Sequence, residues 1–455
     1  MQSVVQNVRY GIRLLLRQPA FTMMALVVLA LGIGANAAMF SLVNAFLFKP
    51  LVIKDAGQLA GCYSHSVKRP DTYRSFSYPE YSELRERNTV FTSVTAHNLA
   101  MVGLANGDTT QRIFADLVSS NYFDTFGVPL YRGRAFTKDE ERPGSAIPVA
   151  IVSYSHWKKA GGDPDVIGKT VRVNTKLLTV VGITAEGFSG TMALVSPELY
   201  LPLGMFETAM NDFEGASRPL ADPTNHALFL VGRKKPGLNA QSTDAQLALT
   251  ASQMSVGQSS TDAQTFIARP LSRLSISDAP TSDAPVQTSS MLLLFMSGIV
   301  LLIASLNVAN MMLARGAARR KEIAIRLALG GTARDIRAQL FTEGVLLATL
   351  GGAAGLVVAY WSTTLLMRSI GHLAPLDLIY NAAPDPRVLA VTMGLCLVST
   401  VLFSLVPAMN LSRPNLASDI KSGEGDMADG GKPRRLWSKR NLLVMGQLAL
   451  SLMLL

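Results

Sequence analysis

RGAARRKEIAIRLALGG, from Arg315 to Gly331, is a basic segment that lies between two apolar runs of membrane-spanning length. Five of its seventeen residues are Arg or Lys, so it must lie in water or against acidic partners. The apolar runs on either side must instead lie in lipid. This alternation predicts a helix on the cytoplasmic face of a membrane, between two transmembrane helices.

The composition is that of a membrane protein, because 49% of the 455 residues are apolar and only 16% are charged. A bilayer core about 30 Å thick requires roughly 20 apolar residues, and in hydrocarbon such a run must be helical. Four spans are predicted, within residues 19–48, 290–313, 340–366 and 388–409. A fifth run, 441–455, is shorter. We interpret it as the start of a span that continues in a longer protein, and a short anchoring end is the alternative.

The distribution of charge predicts the orientation of these spans. A net positive charge is carried by three segments, residues 1–18, 314–339 and 410–440. The loops 49–289 and 367–387 instead carry equal numbers of basic and acidic residues. By the positive-inside rule, the three basic segments, including the N-terminus, are cytoplasmic and the long loop is periplasmic. The net charge of +10 is therefore a topology signal. It favours contact with membrane lipid headgroups and does not indicate a nucleic-acid partner.

Residues 1–18 are predicted to form an amphipathic helix that lies at the cytoplasmic membrane surface. Arg9, Arg13 and Arg17 recur every four residues on one side, opposite an apolar side, and Pro19 is expected to end the helix. A cleaved signal peptide is the alternative. The apolar run that follows is longer than a signal core, and no cleavage site follows it before Lys49.

The loop 49–289 is long enough for one or two folded domains of mixed α+β structure. Its expected elements include a helix over Tyr78–Arg87, a strand over Val149–Ser153 and a hairpin around Asn174–Lys176. Residues 275–289, rich in Pro, Ser and Asp, are expected to be a linker back to the membrane. Overall, the sequence predicts an α-helical transmembrane bundle of four spans plus an incomplete fifth, with a large α+β extracytoplasmic domain.

The sequence indicates no catalytic, cofactor or metal site, and we expect the chain not to be an enzyme. Gly168-Lys169-Thr170 resembles the end of a phosphate-binding loop, but Asp163 stands where that loop needs glycine. The histidines lack the spacing of metal ligands. Cys62 is predicted outside and Cys396 within a span, so the two cannot form a disulfide.

The spans themselves carry small and polar residues suited to helix contacts. Small side chains let helices approach closely, and an amide can bond across the contact. We expect intrachain packing at these positions, with a substrate pathway as the alternative; the residues are Gly32, Gly34, Asn36, Gly351 and Gly355. Glu343, at the cytoplasmic edge of the third span, is interpreted as an interfacial anchor, with a proton relay as the alternative.

Four stretches together resemble ABC transporter permeases of the MacB and FtsX type. They are FTMMALVVLALGIGANAAMFSLVNAFLFKPL from Phe21, SSNYFDTFGVPLYRGRAFTKDE from Ser119, VAIVSYSHWKKAGGDPDVIGKTVRVNTKLLTVVGIT from Val149 and RRKEIAIRLALGGTARDIRAQLFTEGVLLATLGG from Arg319. The external part resembles the MacB-like periplasmic core domain, and residues from about 291 to 412 resemble the FtsX-like permease domain. The whole is most similar to the duplicated permeases of acidobacteria, of which the chain looks like the first half plus the start of the second unit.

The resemblance implies a multi-pass protein of the bacterial inner membrane that acts with an ABC ATPase dimer on the cytoplasmic side. The implied function is export or extraction of an amphiphilic substrate, peptide or lipoprotein, driven by movement passed to the periplasmic domain. The alternative is a signalling permease that regulates an envelope enzyme or sensor without moving cargo. A periplasmic adaptor, and a second permease unit in cis or as a homodimer, are further implied partners. The implied ATPase contacts in the coupling helix within 314–339 are Lys321, Glu322, Ile325, Arg326, Ala328, Leu329 and Gly330. The alternative is that these charges only hold the helix at the headgroups.

Overall fold

A computed structural model describes residues 2–44, 52–106, 109–192, 196–209, 218–254, 263–272, 276–318 and 332–373, and the single residues Ile325, Leu329, Gly394 and Met445. These residues fall into two compact units. The described part of the helix unit lies within Met1–Asn44 and Val286–Leu366, and that of the sheet unit lies within Ala45–Pro285 together with the last residues of the final helix, from Met367.

The described helices, in chain order, are α1 (Gln2–Arg17), α2 (Pro19–Val43), α3 (Tyr78–Arg87), α4 (Tyr122–Phe126), α5 (Lys138–Glu141), α6 (Tyr154–Lys159), α7 (Phe206–Ala209), α8 (Ala240–Met254), α9 (Ala284–Ala318) and α10 (Ala333–Leu373). The strands are β1 (Leu59–Ser66), β2 (Tyr73–Arg74), β3 (Phe91–Asn106), β4 (Thr109–Val118), β5 (Arg132–Gly133), β6 (Val149–Val152), β7 (Thr170–Val173), β8 (Lys176–Ile183), β9 (Leu199–Pro202), β10 (Phe229–Lys234) and β11 (Gln264–Pro270).

Three of these helices are long and apolar enough to cross a membrane. The qualifying segments are Pro19–Phe40 in α2, Ala284–Met312 in α9 and Arg334–Leu365 in α10. They coincide with the first three spans expected from the sequence. The expected fourth span, 388–409, and the incomplete fifth, 441–455, lie outside the described residues apart from Gly394 and Met445.

Two of the membrane-length helices extend beyond their apolar runs. α9 already begins at Ala284, so the expectation of a linker over 275–289 is wrong for its last six residues. Pro285 does not prevent this, because proline is tolerated in the first turn of a helix. α10 begins at Ala333 and continues to Leu373. Its start is capped by Thr332, whose hydroxyl accepts a hydrogen bond from the Asp335 N–H.

The sheet unit is built on one eleven-stranded sheet among the described residues. Its order is β11-β1-β10-β3-β4-β9-β6-β8-β5, with β2 beside β1 and with β7 paired to both β3 and β8. β4 with β9 and β6 with β8 are parallel pairs, and the other pairs are antiparallel. The chain enters through β1 and returns through β11, its neighbour in the sheet.

Local sequence signals explain several of these elements. The hairpin of β7 and β8 turns at Asn174, a residue type that tolerates its left-handed φ of 52°. The predicted helix over Tyr78–Arg87 is confirmed as α3, and it starts with a capping box between Ser77 and Glu80. Ser153 caps the start of α6, where its hydroxyl accepts a hydrogen bond from the His156 N–H, and Trp157 on this helix is buried.

Candidate functional site: the packed membrane helices

The helix unit has its own apolar core. Residues of all four of its helices form one buried cluster: Leu15, Ala25, Leu29, Ile33, Leu301, Val308, Met312, Leu347 and Ala348. Because members of α1, α2, α9 and α10 share this cluster, a shift of one helix must displace side chains on the others.

α2 contacts α9 through a glycine and an amide. A Cβ atom built on Gly32 would lie 2.6 Å from the Cβ of Ala304, closer than real side chains approach. One turn further along α2, buried Asn36 donates a hydrogen bond of 3.2 Å from Nδ2 to the carbonyl oxygen of Ser297. The two helices therefore approach through small residues and are joined by a polar contact where no water competes.

α2 contacts α10 through glycines on both helices. Gly351 faces Leu29, where an added Cβ would come within 2.7 Å of the leucine Cβ. Gly355 faces Ile33, where an added Cβ would come within 2.8 Å of the isoleucine Cβ. On α2, Gly34 faces Val358, at 2.9 Å from its Cγ1. Large side chains spaced by four residues on α2 thus fit above glycines spaced by four on α10.

α1 joins the same assembly. Gly11 is buried, and a Cβ at this position would lie 2.8 Å from the Cδ1 of Leu346 on α10. The hydroxyl of Thr22 on α2 donates to the carbonyl oxygen of Leu15, at 2.8 Å. This bond satisfies one of the carbonyls left without a partner at the end of α1. Gln18 separates the two helices, and Pro19 is the first residue of α2.

Glu343, which the sequence suggests as an interfacial anchor, is only 2% exposed. An anchor would expose its carboxylate to the headgroups. The side chain instead lies inside the helix unit, on the first half of α10. A carboxylate buried at this depth requires partners, and Glu343 is the ionisable member of a small set of buried polar side chains described in the helix unit, which also includes Asn36.

The two described residues of the coupling segment are both exposed. Ile325 is 60% exposed and Leu329 is 82% exposed, and the N–H of Leu329 donates to the carbonyl oxygen of Ile325 at 3.0 Å. This spacing is one helical turn, so the two apolar side chains lie on one face. The other expected contacts lie outside the described residues: Lys321, Glu322, Arg326, Ala328 and Gly330.

The sheet unit contains a buried polar cluster that the sequence does not reveal. His97 Nδ1 lies 3.1 Å from Asp116 Oδ1, and the hydroxyl of Tyr122 donates to Asp116 Oδ2 at 3.0 Å. Burial, together with the nearby carboxylate, raises the pKa of Tyr122 well above its usual value. The three residues lie on different elements, so only the pairing of β3 with β4 brings them together.

A cavity at one face of the sheet is covered by the segment that leads to α9. Its lining includes Cys62, Arg74, His97, Leu230 and Asp278. The hydroxyl of Ser75 is hydrogen-bonded to the Asp278 carboxylate, which holds the covering segment to the sheet. Among the described residues, no group of three metal-ligating side chains lies close together.

Comparisons with known proteins find the same two parts in the same order. A family model described as MacB-like periplasmic core domain matches residues 22–249, and one described as FtsX-like permease C-terminal matches residues 294–416. The macrolide export ATP-binding/permease protein MacB of Chromobacterium violaceum is 24% identical over 301 residues, which are 66% of this chain and 42% of that protein. A probable syringafactin export ATP-binding/permease protein of Pseudomonas syringae is 26% identical over 302 residues, 65% of this chain and 40% of that protein.

The chain thus matches about two fifths of the length of these curated relatives. Among solved structures, the periplasmic region of MacB from Actinobacillus actinomycetemcomitans is 16% identical. It aligns with a TM-score of 0.35, over 51% of this chain and 93% of that one. The extracellular domain of the noncanonic ABC-type transporter YknZ aligns with a TM-score of 0.33 and 16% identity, over 46% of this chain and 99% of that one.

Proposed function

Because the chain belongs to the ABC transporter permeases of the MacB and FtsX type, we propose that it passes ATP-driven movement across the inner membrane to a periplasmic domain. The movement would serve export or extraction of an amphiphilic substrate, peptide or lipoprotein. ATP hydrolysis would be performed by a separate ATPase subunit on the cytoplasmic side.

The contact of α2 with α10 is the observation that carries this proposal. Leu29 and Ile33 lie directly against Gly351 and Gly355, with no room for even one added carbon. Interfaces packed this tightly shift as units rather than deforming gradually. A tilt imposed on α10 from the cytoplasm would therefore be passed to α2, whose chain continues into β1 of the sheet unit.

The ATPase contact is proposed to be the segment that contains Ile325 and Leu329. Two large apolar side chains exposed on one helical face suit a groove on a partner protein. Glu322 and Arg326, four residues apart, would add charged contacts at the rim. The full proposed set is Lys321, Glu322, Ile325, Arg326, Ala328, Leu329 and Gly330.

This contact is tested by charge reversal at Glu322 combined with Leu329→Asp. The full chain is purified in nanodiscs with its ABC ATPase, and stimulation of ATP hydrolysis is measured. Loss of stimulation is expected, because a buried apolar contact becomes an unpaired charge. Glu186→Lys with Leu177→Asp is the matched control, since both residues are exposed in the sheet unit. Unchanged stimulation in the first variant would rule this segment out as the ATPase contact.

The membrane orientation is proposed from charge, with the N-terminus cytoplasmic and residues 49–289 periplasmic. Thr175, at the turn between β7 and β8, and Thr332, before α10, are both exposed and suit cysteine labelling. A membrane-impermeant maleimide applied to intact spheroplasts should label a cysteine at position 175. A cysteine at position 332 should react only after the spheroplasts are lysed. The reverse pattern would contradict the proposed orientation.

A signalling permease remains the second candidate function. The family includes this class of role, and movement of the sheet unit could regulate an envelope enzyme as well as expel cargo. A pull-down with the longest natural form of the protein separates the two. Recovery of a periplasmic adaptor or an outer-membrane channel favours export, whereas recovery of a cell-wall hydrolase or a sensor kinase favours signalling. A second permease unit, in cis or as a homodimer, would be visible in the same experiment.

A further inference from the structure

Helix α1 presents three distinct faces. Gly11, Leu14 and Leu15 are buried against the helix unit. A second face is apolar and exposed, with Val5 at 68%, Ile12 at 46% and Leu16 at 74%. The third face is basic and exposed, and it carries Arg9, Arg13 and Arg17. A helix that contacts only the protein and water would carry polar residues on this second face, so the exposed apolar residues indicate a further, apolar environment.

The helix that follows α1 in the chain, α2, also has an exposed apolar face. Large side chains are exposed along one length of α2, at Met23, Met24, Val27 and Leu31. These residues lie within Pro19–Phe40, the segment of α2 suited to cross a membrane. Only Gln18 separates α1 in sequence from this helix, whose exposed surface is suited to acyl chains.

Among the residues that the structure describes, the basic face of α1 has no acidic partner. Residues 1–18 contain no Asp or Glu, and no ion pair among the described residues involves Arg9, Arg13 or Arg17. The three side chains are spaced by four residues, so their guanidinium groups form a row beside the apolar face. Guanidinium groups are well suited to phosphate oxygens, which they can bind with two hydrogen bonds.

We propose that α1 is a binding site for anionic phospholipid, whose phosphates bind the arginine row and whose acyl chains cover Val5, Ile12 and Leu16. The opposite face of the same helix contacts α10 where Gly11 meets Leu346. The carbonyl oxygen of Leu15 accepts a hydrogen bond from the hydroxyl of Thr22 on α2. The bound lipid holds α1 against these two helices. The charge of the inner leaflet thus stabilises the junction through which helix movement would pass.

The site rests on the proposed orientation of residues 1–18 at the membrane surface and not on coupling to an ATPase. It is tested with the full chain alone, in zwitterionic detergent, titrated with phosphatidylglycerol or phosphatidylcholine. Native mass spectrometry counts the lipids retained on each chain. The wild-type chain should prefer phosphatidylglycerol. Arg9→Gln, Arg13→Gln and Arg17→Gln together should lower that preference by about fivefold for each arginine.

Three further variants make the result specific. Lys68→Gln, Arg69→Gln and Lys235→Gln remove the same charge from exposed positions of the sheet unit and should leave the preference unchanged. Replacing the three arginines with lysine keeps the charge and should preserve most of the preference, even if the glutamine variant folds poorly. Ile12→Gln with Leu16→Gln should weaken retention of both lipids.

Equal retention of the two lipids by the wild-type chain would overturn the proposal. An equal loss of preference in the α1 and control variants would do the same, because it would reduce the effect to net charge. Neither outcome bears on ATPase stimulation, which is measured separately through Glu322 and Leu329.

Discussion

The side-chain amide of Asn36 reaches across from α2 to the backbone of α9, where it donates to the carbonyl oxygen of Ser297 over 3.2 Å. Both residues are buried, and the bond joins positions 261 residues apart in the chain. It is a polar contact in the part of the structure where the hydrophobic effect contributes least to helix association. The bond therefore fixes the register of two helices whose apolar surfaces alone would allow sliding.

Asn36→Ala should weaken the contact of α2 with α9. Hydrogen bonds between membrane helices contribute about 1 kcal/mol each, so a decrease of that size in the free energy of unfolding is expected. The measurement is unfolding of the full chain in mixed micelles with increasing sodium dodecyl sulfate. Thr349→Ala is the control, because that hydroxyl bonds only within its own helix, to Val345. Equal effects of the two changes would contradict the cross-helix role of Asn36.

Gly355→Val should disrupt the packing of α2 on α10. The added side chain would collide with Ile33, and overpacking of this kind costs about 1–3 kcal/mol. Gly298→Val on α9 is a matched control, since no side chain or other helix among the described residues comes within 4 Å of a Cβ at that position. The same micelle titration compares the two. Ile33→Gly removes the Cβ that the new side chain would meet, so the double variant should lose less stability than the sum of the two single changes. Simple additivity would mean that the strain lies elsewhere.

Because of Glu80, the free energy of unfolding of the sheet unit should decrease as the pH falls. Burial alone would raise its pKa, but hydrogen bonds from His226 and Arg74, and the backbone N–H of Ser77, lower it from 4.5 to about 2. Because the folded pKa is below the unfolded one, the stabilisation is complete above about pH 4.5 and is lost as the pH falls towards 2. About 2–3 kcal/mol should disappear over this interval.

Hydrogen exchange of the α3 amides in the full chain, followed between pH 5 and pH 2.5, measures this loss after correction for intrinsic exchange rates. Glu80→Gln cannot ionise, so it should exchange faster at pH 5 and show a flatter pH profile. Glu83→Gln removes a half-buried carboxylate one turn away, which pairs with exposed Arg87, and it should retain the wild-type profile. A steep profile in the Glu80 variant would assign the acid dependence to another group.

Ala268→Cys should allow a disulfide with Cys62 across β1 and β11. These residues are direct partners in the strand pair, and both are buried in the same core cluster. Burial, and to a smaller degree Asp244, raises the pKa of the Cys62 thiol. The reactive thiolate is therefore scarce, and oxidation is expected to need a catalyst. Mass spectrometry after alkylation detects the bond. Ala150→Cys, paired with Val180, should remain a free thiol.

The sequence predicts the elements whose signals are local. Long apolar runs identify α2, α9 and α10, because hydrocarbon allows only helices there; the first two runs carry no charge and the third carries only Glu343. The capping box at Ser77 and the turn at Asn174 identify α3 and the β7–β8 hairpin. The sequence also identifies Gly351 and Gly355 as a face of small residues, since their spacing is that of one helical turn.

The partners of those glycines cannot be read from the sequence in the same way. Leu29 and Ile33 are ordinary apolar residues of a span, and only the rotation of α2 about its axis places them against α10. Their spacing of four residues matches that of the glycines and is the one local signal available. The buried group of His97, Asp116 and Tyr122 likewise depends on the register of β3 with β4, which no short motif specifies.

The adjacency of β1 and β11 has a mechanical consequence. The strands are antiparallel, with Ala60 paired to Pro270, so the chain enters the sheet and leaves it at the same end of one strand pair. A force that pulled Leu59 and Pro270 apart would act at that end and would break the hydrogen bonds of the pair one after another, instead of shearing all of them together. Peeling of this kind needs a small force over a long distance. The pair of β1 and β11 is therefore expected to separate at a lower force than strand pairs that are loaded in shear.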